Sequence, residues 1–123
     1  MNTVLLVEDS LTESGIISRY LEAAGLKVVL ARNVKEAQQR LTTPKPDLIV
    51  LDIILPEQSG FELCRELRAN PSTVSIPIVM CSTRQSDADR VWSNLLGADA
   101  YLTKPVNDQA LVETVTRLIK RRS

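Results

Sequence analysis

The chain has 123 residues, 44% of them hydrophobic and 24% charged; at this length a single domain buries roughly two thirds of its unfolded surface, and disorder is excluded as the default. Fifteen basic and fifteen acidic side chains give a net charge of zero, which excludes a global pull toward nucleic acid or an anionic membrane. No apolar run approaches the ~20 residues of a membrane span, so no membrane insertion is expected, and the Met1–Glu8 stretch has no secretory-signal pattern.

Thr3–Val7 contains the unalternating apolar run Val4-Leu-Leu-Val7, the pattern of a strand covered on both faces. Ser10-Leu-Thr-Glu13 is a capping-box pattern, and the helix it opens carries Ile16, Ile17, Tyr20, Leu21 and Ala24 on one face before Gly25 ends it. Lys27–Ala31 is a second strand, after which Asn33 caps a helix with Val34, Ala37 and Leu41 inward. Leu48–Leu51 is a third strand, and Ser59-Gly-Phe-Glu62 is a second capping box opening a helix with Phe61, Cys64 and Leu67. Ile76–Cys81 is a fourth strand. The fourth helix carries Ala88, Val91, Trp92, Leu95 and Leu96 and stops at Gly97; this stripe reads as ordinary core, the alternative being that Trp92 and Leu95 edge a partner surface. Ala100–Thr103 is a fifth strand. The fifth helix starts after Asn107, carries Leu111, Val112, Val115, Leu118 and Ile119, and ends in a basic tail that reads as a solvated helix end.

Strand and helix alternate five times. That order implies a parallel, doubly wound α/β sheet with right-handed crossovers, a flavodoxin-like (βα)5 domain with strand order 2-1-3-4-5. Ligands of such sheets bind outside the carboxyl ends of the strands at the switch point, here between strands one and three. Glu8 and Asp9 follow strand one, Asp52 ends strand three, Ser82 and Thr83 follow strand four, and Lys104 and Pro105 follow strand five.

Three carboxylates, a hydroxyl and an amine therefore share one edge. Clustered carboxylates repel unless a cation lies among them. The chain has no histidine, so imidazole zinc sites and Ser-His-Asp or Cys-His catalysis are excluded. Cys64 and Cys81 have no CxxC partner and read as buried thiols in a reducing cytoplasm. Oxygen ligands suit Mg2+, which binds phosphate while keeping several waters. With a lysine and a hydroxyl alongside, these parts suit transfer of a phosphoryl group onto an aspartate carboxylate.

The segments Val7-Glu8-Asp9-Ser10, Leu51-Asp52-Ile53-Ile54-Leu55-Pro56-Glu57-Gln58-Ser59-Gly60, Ile78-Val79-Met80-Cys81-Ser82 and Gly97-Ala98-Asp99-Ala100-Tyr101-Leu102-Thr103-Lys104-Pro105 resemble the receiver domain of bacterial two-component response regulators, the CheY-like family. The resemblance spans the whole chain. It implies that Asp52 is the phosphoacceptor, that Asp9 binds Mg2+ directly and Glu8 directly or through water, and that Asp52 and the backbone carbonyl of Ile54 are further metal ligands. It implies that Ser82 bonds a phosphoryl oxygen and moves on activation, that Lys104 pairs with Asp52 or its phosphate, and that the Tyr101 rotamer follows Ser82. The Lys104–Pro105 bond is cis in this family. Glu8 stands where many members have Asp, Ser82 where Thr is commoner, and Thr83 where a smaller residue is usual. The residues around Trp92 and Lys104 look most like the stand-alone regulators of type IV pilus chemosensory systems, which govern twitching motility and phototaxis.

The resemblance thus implies a single receiver domain over residues 1–123 with no output domain, cytoplasmic, phosphorylated by a histidine kinase and signalling to a downstream protein, as a monomer or a phosphorylation-dependent dimer. It would catalyse its own phosphorylation and dephosphorylation and act on no separate substrate. No nucleic-acid partner is expected. A phosphorelay intermediate and a phosphorylation-independent interaction domain are the alternatives. An aspartate-nucleophile phosphatase would need a second Asp where Ile54 stands, and Glu8-Asp9-Ser10-Leu11 would repel the phosphate of a flavin.

Overall fold

In the computed structural model, which describes residues 2–42 and 44–122, the apolar runs pair in parallel into one sheet. Its strands are β1 (Thr3–Val7), β2 (Lys27–Ala31), β3 (Leu48–Leu51), β4 (Ile78–Ser82) and β5 (Ala100–Thr103), in the order β2-β1-β3-β4-β5. The helices α1 (Leu11–Ala23), α2 (Val34–Arg40), α3 (Gly60–Ala69), α4 (Asp87–Leu95) and α5 (Asp108–Arg122) each follow a strand. This is the doubly wound arrangement expected from the alternation. Met1, Thr43 and Ser123, at the ends of the expected domain and between α2 and β3, lie outside the described residues.

Successive side chains of each strand enter opposite cores, as the period of two requires. Leu5 and Val7 join Ile49, Leu51 and Met80 on the side packed by α2 and α3, whereas Val4 and Leu6 join Val50, Val79 and Cys81 on the side packed by α1 and α5. Val7 is in register with Ala31 on one side and Leu51 on the other. The carboxyl ends of β1 and β3 are therefore level, and Asp52 N–H donates to the Val7 carbonyl at 3.1 Å.

Two elements differ from the sequence reading. β4 begins at Ile78 and includes Ser82, because Ile76 N–H is engaged in a turn to the Thr73 carbonyl at 3.0 Å and Pro77 has no N–H to contribute. In α4 the apolar stripe faces outward. Val91, Trp92 and Leu95 are 58%, 49% and 71% exposed, so the reading of Trp92 as ordinary core is corrected. The buried positions of this helix are Asp89 and Ser93, one turn apart. Asp89 is held by the Ser86 hydroxyl at 2.7 Å and by Arg84 at 2.8 Å. With its phase pinned there, Val91 and Leu95, two and six positions on, point away from the sheet, and Trp92 turns sideways toward Phe61 and Arg65 of α3.

The basic end of α5 is also more than a solvated tail, since Arg122 donates to the Pro46 and Asp47 carbonyls at 3.4 and 3.2 Å. Arg68, on α3, ties together the turns that flank β4. Its guanidinium donates to the carbonyls of Gly97 (2.9 Å), Val74 (2.9 Å) and Ile76 (2.7 Å) and to the Asp99 carboxylate (2.9 Å). Arg68→Ala is expected to lower stability by about 2–3 kcal/mol, because several carbonyls lose their donor at once. A urea melt reads this; a loss below about 0.5 kcal/mol, the level of an ordinary surface substitution, would contradict it.

Candidate functional site

The loop after β1, the end of β3 and the loop after β5 converge on one ammonium group. Lys104 Nζ lies 3.0 Å from Asp52 Oδ2 and is also paired with Glu8 Oε1 and Glu13 Oε2. Lys104, Glu8 and Asp52 are all buried. Lys104 N–H donates to the Ser82 carbonyl at 2.9 Å, which anchors its backbone to the end of β4, and the Lys104–Pro105 peptide is cis. Asp52 Oδ1 accepts from Ile54 N–H at 3.2 Å, so one carboxyl oxygen faces the ammonium and the other is held by its own loop. Ile54 itself is exposed.

Burial, the largest influence, disfavours the charge on both Glu8 and Lys104. For Glu8 it raises the carboxyl above its usual range, aided by Asp52 and opposed by the Lys104 bond. For Lys104 the bonds from Glu13 and Glu8, with Asp52 behind them, outweigh burial and raise it above the ordinary lysine range. Cys81 lies behind this cluster, and burial pushes its thiol up to about 12. Cys64 is buried as well, and both cysteines are free.

Carboxylate oxygens of Glu8, Glu13 and Asp52 lie within 4.8 Å of one another. Asp9, next to Glu8, is exposed and is not one of those three. The donors gathered at this edge are oxygens, a set that fits a hard divalent cation.

Glu13 was not anticipated. The capping-box pattern assigns its carboxylate to Ser10 N–H. Only half of that box forms: Ser10 Oγ accepts from Glu13 N–H at 3.2 Å, while Ser10 N–H donates to Glu8 Oε2, also at 3.2 Å. The Glu13 side chain is thereby free to reach Lys104. A glutamate two residues before the cap, able to take the same donor, is the signal that could have exposed this.

A second set of contacts runs outward from Ser82. Its hydroxyl oxygen, fully buried, accepts from Arg84 N–H at 3.3 Å, and the Arg84 carbonyl accepts from the Tyr101 hydroxyl at 2.6 Å. The Arg90 guanidinium covers the Tyr101 ring at 5.0 Å and donates to Thr103 Oγ1 at 3.2 Å. Ser82 and Tyr101 are thus linked through the backbone of a single residue.

A doubly wound five-stranded sheet with a lysine–aspartate pair and further carboxylates at its switch point defines a CheY-like domain. The chain belongs to the response regulator receiver domain family, which matches residues 4–116. It is 34% identical over 119 residues to Protein PilH of Pseudomonas aeruginosa, with 97% of this chain and 98% of that one covered. Of other curated relatives, transcriptional regulatory proteins, it spans about half the length. The structure of the chemotaxis protein CheY4 of Vibrio cholerae superposes with a TM-score of 0.89 at 30% identity, covering 96% of this chain and 98% of that one. The Mn2+-bound form of response regulator Rcp1 superposes with a TM-score of 0.81 at 30% identity, covering 96% and 91%.

Proposed function

We propose that the protein is a stand-alone response regulator that accepts a phosphoryl group from a histidine kinase on Asp52. The observation that carries this reading is the Asp52–Lys104 pair, 3.0 Å long and buried at the carboxyl edge of the sheet. Asp52 supplies the attacking oxygen, and Lys104 balances the charge that gathers on the transferred group. Glu8, Asp9, Asp52 and the Ile54 carbonyl would hold Mg2+, which neutralises phosphoryl charge when bound. Ser82 would donate its hydroxyl to a phosphoryl oxygen.

The test is to incubate the protein with Mg2+ and acetyl phosphate and follow intact mass. One phosphoryl adduct is expected on the wild-type chain and none on Asp52→Asn, whose amide is isosteric but not nucleophilic. An acid-stable adduct on the variant would overturn the assignment.

Output would pass from Ser82 through Arg84 to Tyr101. If the Ser82 hydroxyl turns to the phosphate, Arg84 N–H loses its acceptor, and the carbonyl that holds the Tyr101 hydroxyl belongs to the same residue. The face built from α4, β5 and α5 would then shift between two pre-existing states. On that face Arg90 and Asn94 of α4 lie beside Tyr101, whereas Trp92 lies on the other side of α4 with Phe61 and Arg65 of α3. Tyr101→Ala is expected to weaken binding of the downstream protein while leaving phosphorylation of Asp52 intact; loss of phosphorylation with binding spared would reverse the proposed order. The likeness to a chemotaxis protein and to PilH supports a role in motility or taxis signalling, and among the described residues no helix is long and apolar enough to cross a membrane, in keeping with a cytoplasmic signalling protein.

A further inference from the structure

We infer that Glu13 is a positioning residue that restrains Lys104 and so weakens the hold of the site on a phosphoryl group. This rests on the reading of Asp52 as the phosphoacceptor. An ammonium has three N–H donors, and Lys104 has three carboxylate partners, Glu8, Glu13 and Asp52. Phosphorylation replaces the Asp52 partner by phosphoryl oxygens, and a cation bound to the acidic residues would draw Glu8 away. Glu13 lies on a different element, the first turn of α1, and keeps its bond. Its side chain is 37% exposed, against 2% for Glu8 and 8% for Asp52, so it stands at the rim, where an incoming anion passes.

Two consequences follow from its charge. Glu13 offsets part of the positive charge that Lys104 offers to the phosphoryl group, and it repels the phosphoryl group directly. Its placement is specific: Ser10 N–H, the donor that would otherwise hold its carboxylate, is occupied by Glu8 at 3.2 Å. Glu13 is also joined to the Lys104 side by a groove of about 290 Å3, walled by Ile16, Tyr20, Pro105 and Val106. Glu13 and Lys104 both line this groove.

The test uses the wild-type chain, Glu13→Gln, Lys104→Met and the double variant. Isothermal titration calorimetry with beryllofluoride in saturating Mg2+ measures affinity for a phosphoryl mimic. Glu13→Gln is expected to bind about five- to tenfold tighter, the size of one unit charge a few ångströms away in a partly solvated site. Its affinity for Mg2+ alone should fall by at most the same five- to tenfold, since the lost charge acts on a cation in the site with the opposite sign but not as a ligand. Melting in chelator supplies a readout free of metal and anion. The change in Tm caused by Glu13→Gln should be more positive in the Lys104→Met background than in wild type, by at least about 3 °C. Unchanged or weaker beryllofluoride binding, an additive cycle, or a hundredfold loss of Mg2+ affinity, which would make Glu13 a metal ligand, each overturns the inference. A wild-type chain that binds no beryllofluoride overturns the functional reading and this one with it. A wild-type chain that binds while Glu13→Gln binds no tighter overturns this one alone.

Discussion

Lys104→Met is expected to lower stability by about 3 kcal/mol in chelator at neutral pH, because removing one partner leaves buried charge uncompensated. Glu8, Glu13 and Asp52 would face one another with their shared cation gone. Glu13 is partly solvated and adds little to this cost; Glu8 and Asp52, both buried, carry most of it. The loss should depend on pH. Burial already raises the Glu8 carboxyl above the usual carboxylate range, and Lys104 is the largest influence holding it down. Without that bond the folded chain takes up a proton on Glu8 more readily than the unfolded chain does. Stability then falls as pH rises from the usual carboxylate range to the raised folded value, and recovers as pH is lowered back through that window. Wild type should change less over that window. On the proposed reading Mg2+ would bind the folded site and not the unfolded chain, so millimolar metal should raise the melting temperature of Lys104→Met, which lacks the competing ammonium, more than that of wild type. Urea melts at two pH values, each with chelator and with Mg2+, read all three effects. A variant as stable as wild type at neutral pH would mean that the three carboxylates do not depend on Lys104.

Gly60→Ala is expected to cost about 3 kcal/mol and to impair phosphoryl acceptance as well. A Cβ on Gly60 would stand 2.0 Å from the Asp52 carbonyl oxygen and 2.9 Å from Ile53 Cα. Both are backbone atoms of the site loop, so neither can give way without moving Asp52. Gly60 N–H also donates to the Ile53 carbonyl at 2.8 Å, fastening the start of α3 to the end of β3. The same turn holds Glu57 at a φ of 69°, a left-handed conformation that costs a non-glycine residue about 1–2 kcal/mol. The Asp52–Gly60 segment is thus a closed loop with little slack. Thermal melts and acetyl phosphate labelling, the latter well below the melting temperature of the variant, separate the two effects. An unchanged melting temperature would contradict the contact.

Most of the sheet was legible along the chain because its causes are local or repetitive. Uninterrupted apolar runs mark strands covered on both faces, and five of them alternating with capped helices admit few topologies. The strand-end rule then placed Glu8, Asp52, Ser82 and Lys104 on one edge before any contact was known. Sequence periodicity was least informative where a side chain had two possible partners. Ser10-Leu-Thr-Glu13 reads as a closed capping box, yet Glu8 takes the backbone donor and Glu13 goes to a lysine 91 residues away. Ala88, Val91, Trp92, Leu95 and Leu96 read as a core stripe, yet Asp89, fixed by Ser86 and Arg84, turns most of that stripe to solvent.

From its sequence alone this protein has its strand order and the edge where its chemistry gathers, since hydrophobic period and strand–helix alternation are set by near neighbours in the chain. The tertiary structure decided which carboxylates share Lys104, which face of α4 meets solvent and how Ser82 connects to Tyr101. Those outcomes depend on competition between partners far apart in sequence for the same donor, cation or packing face, and that competition is settled only when the strand ends are brought level.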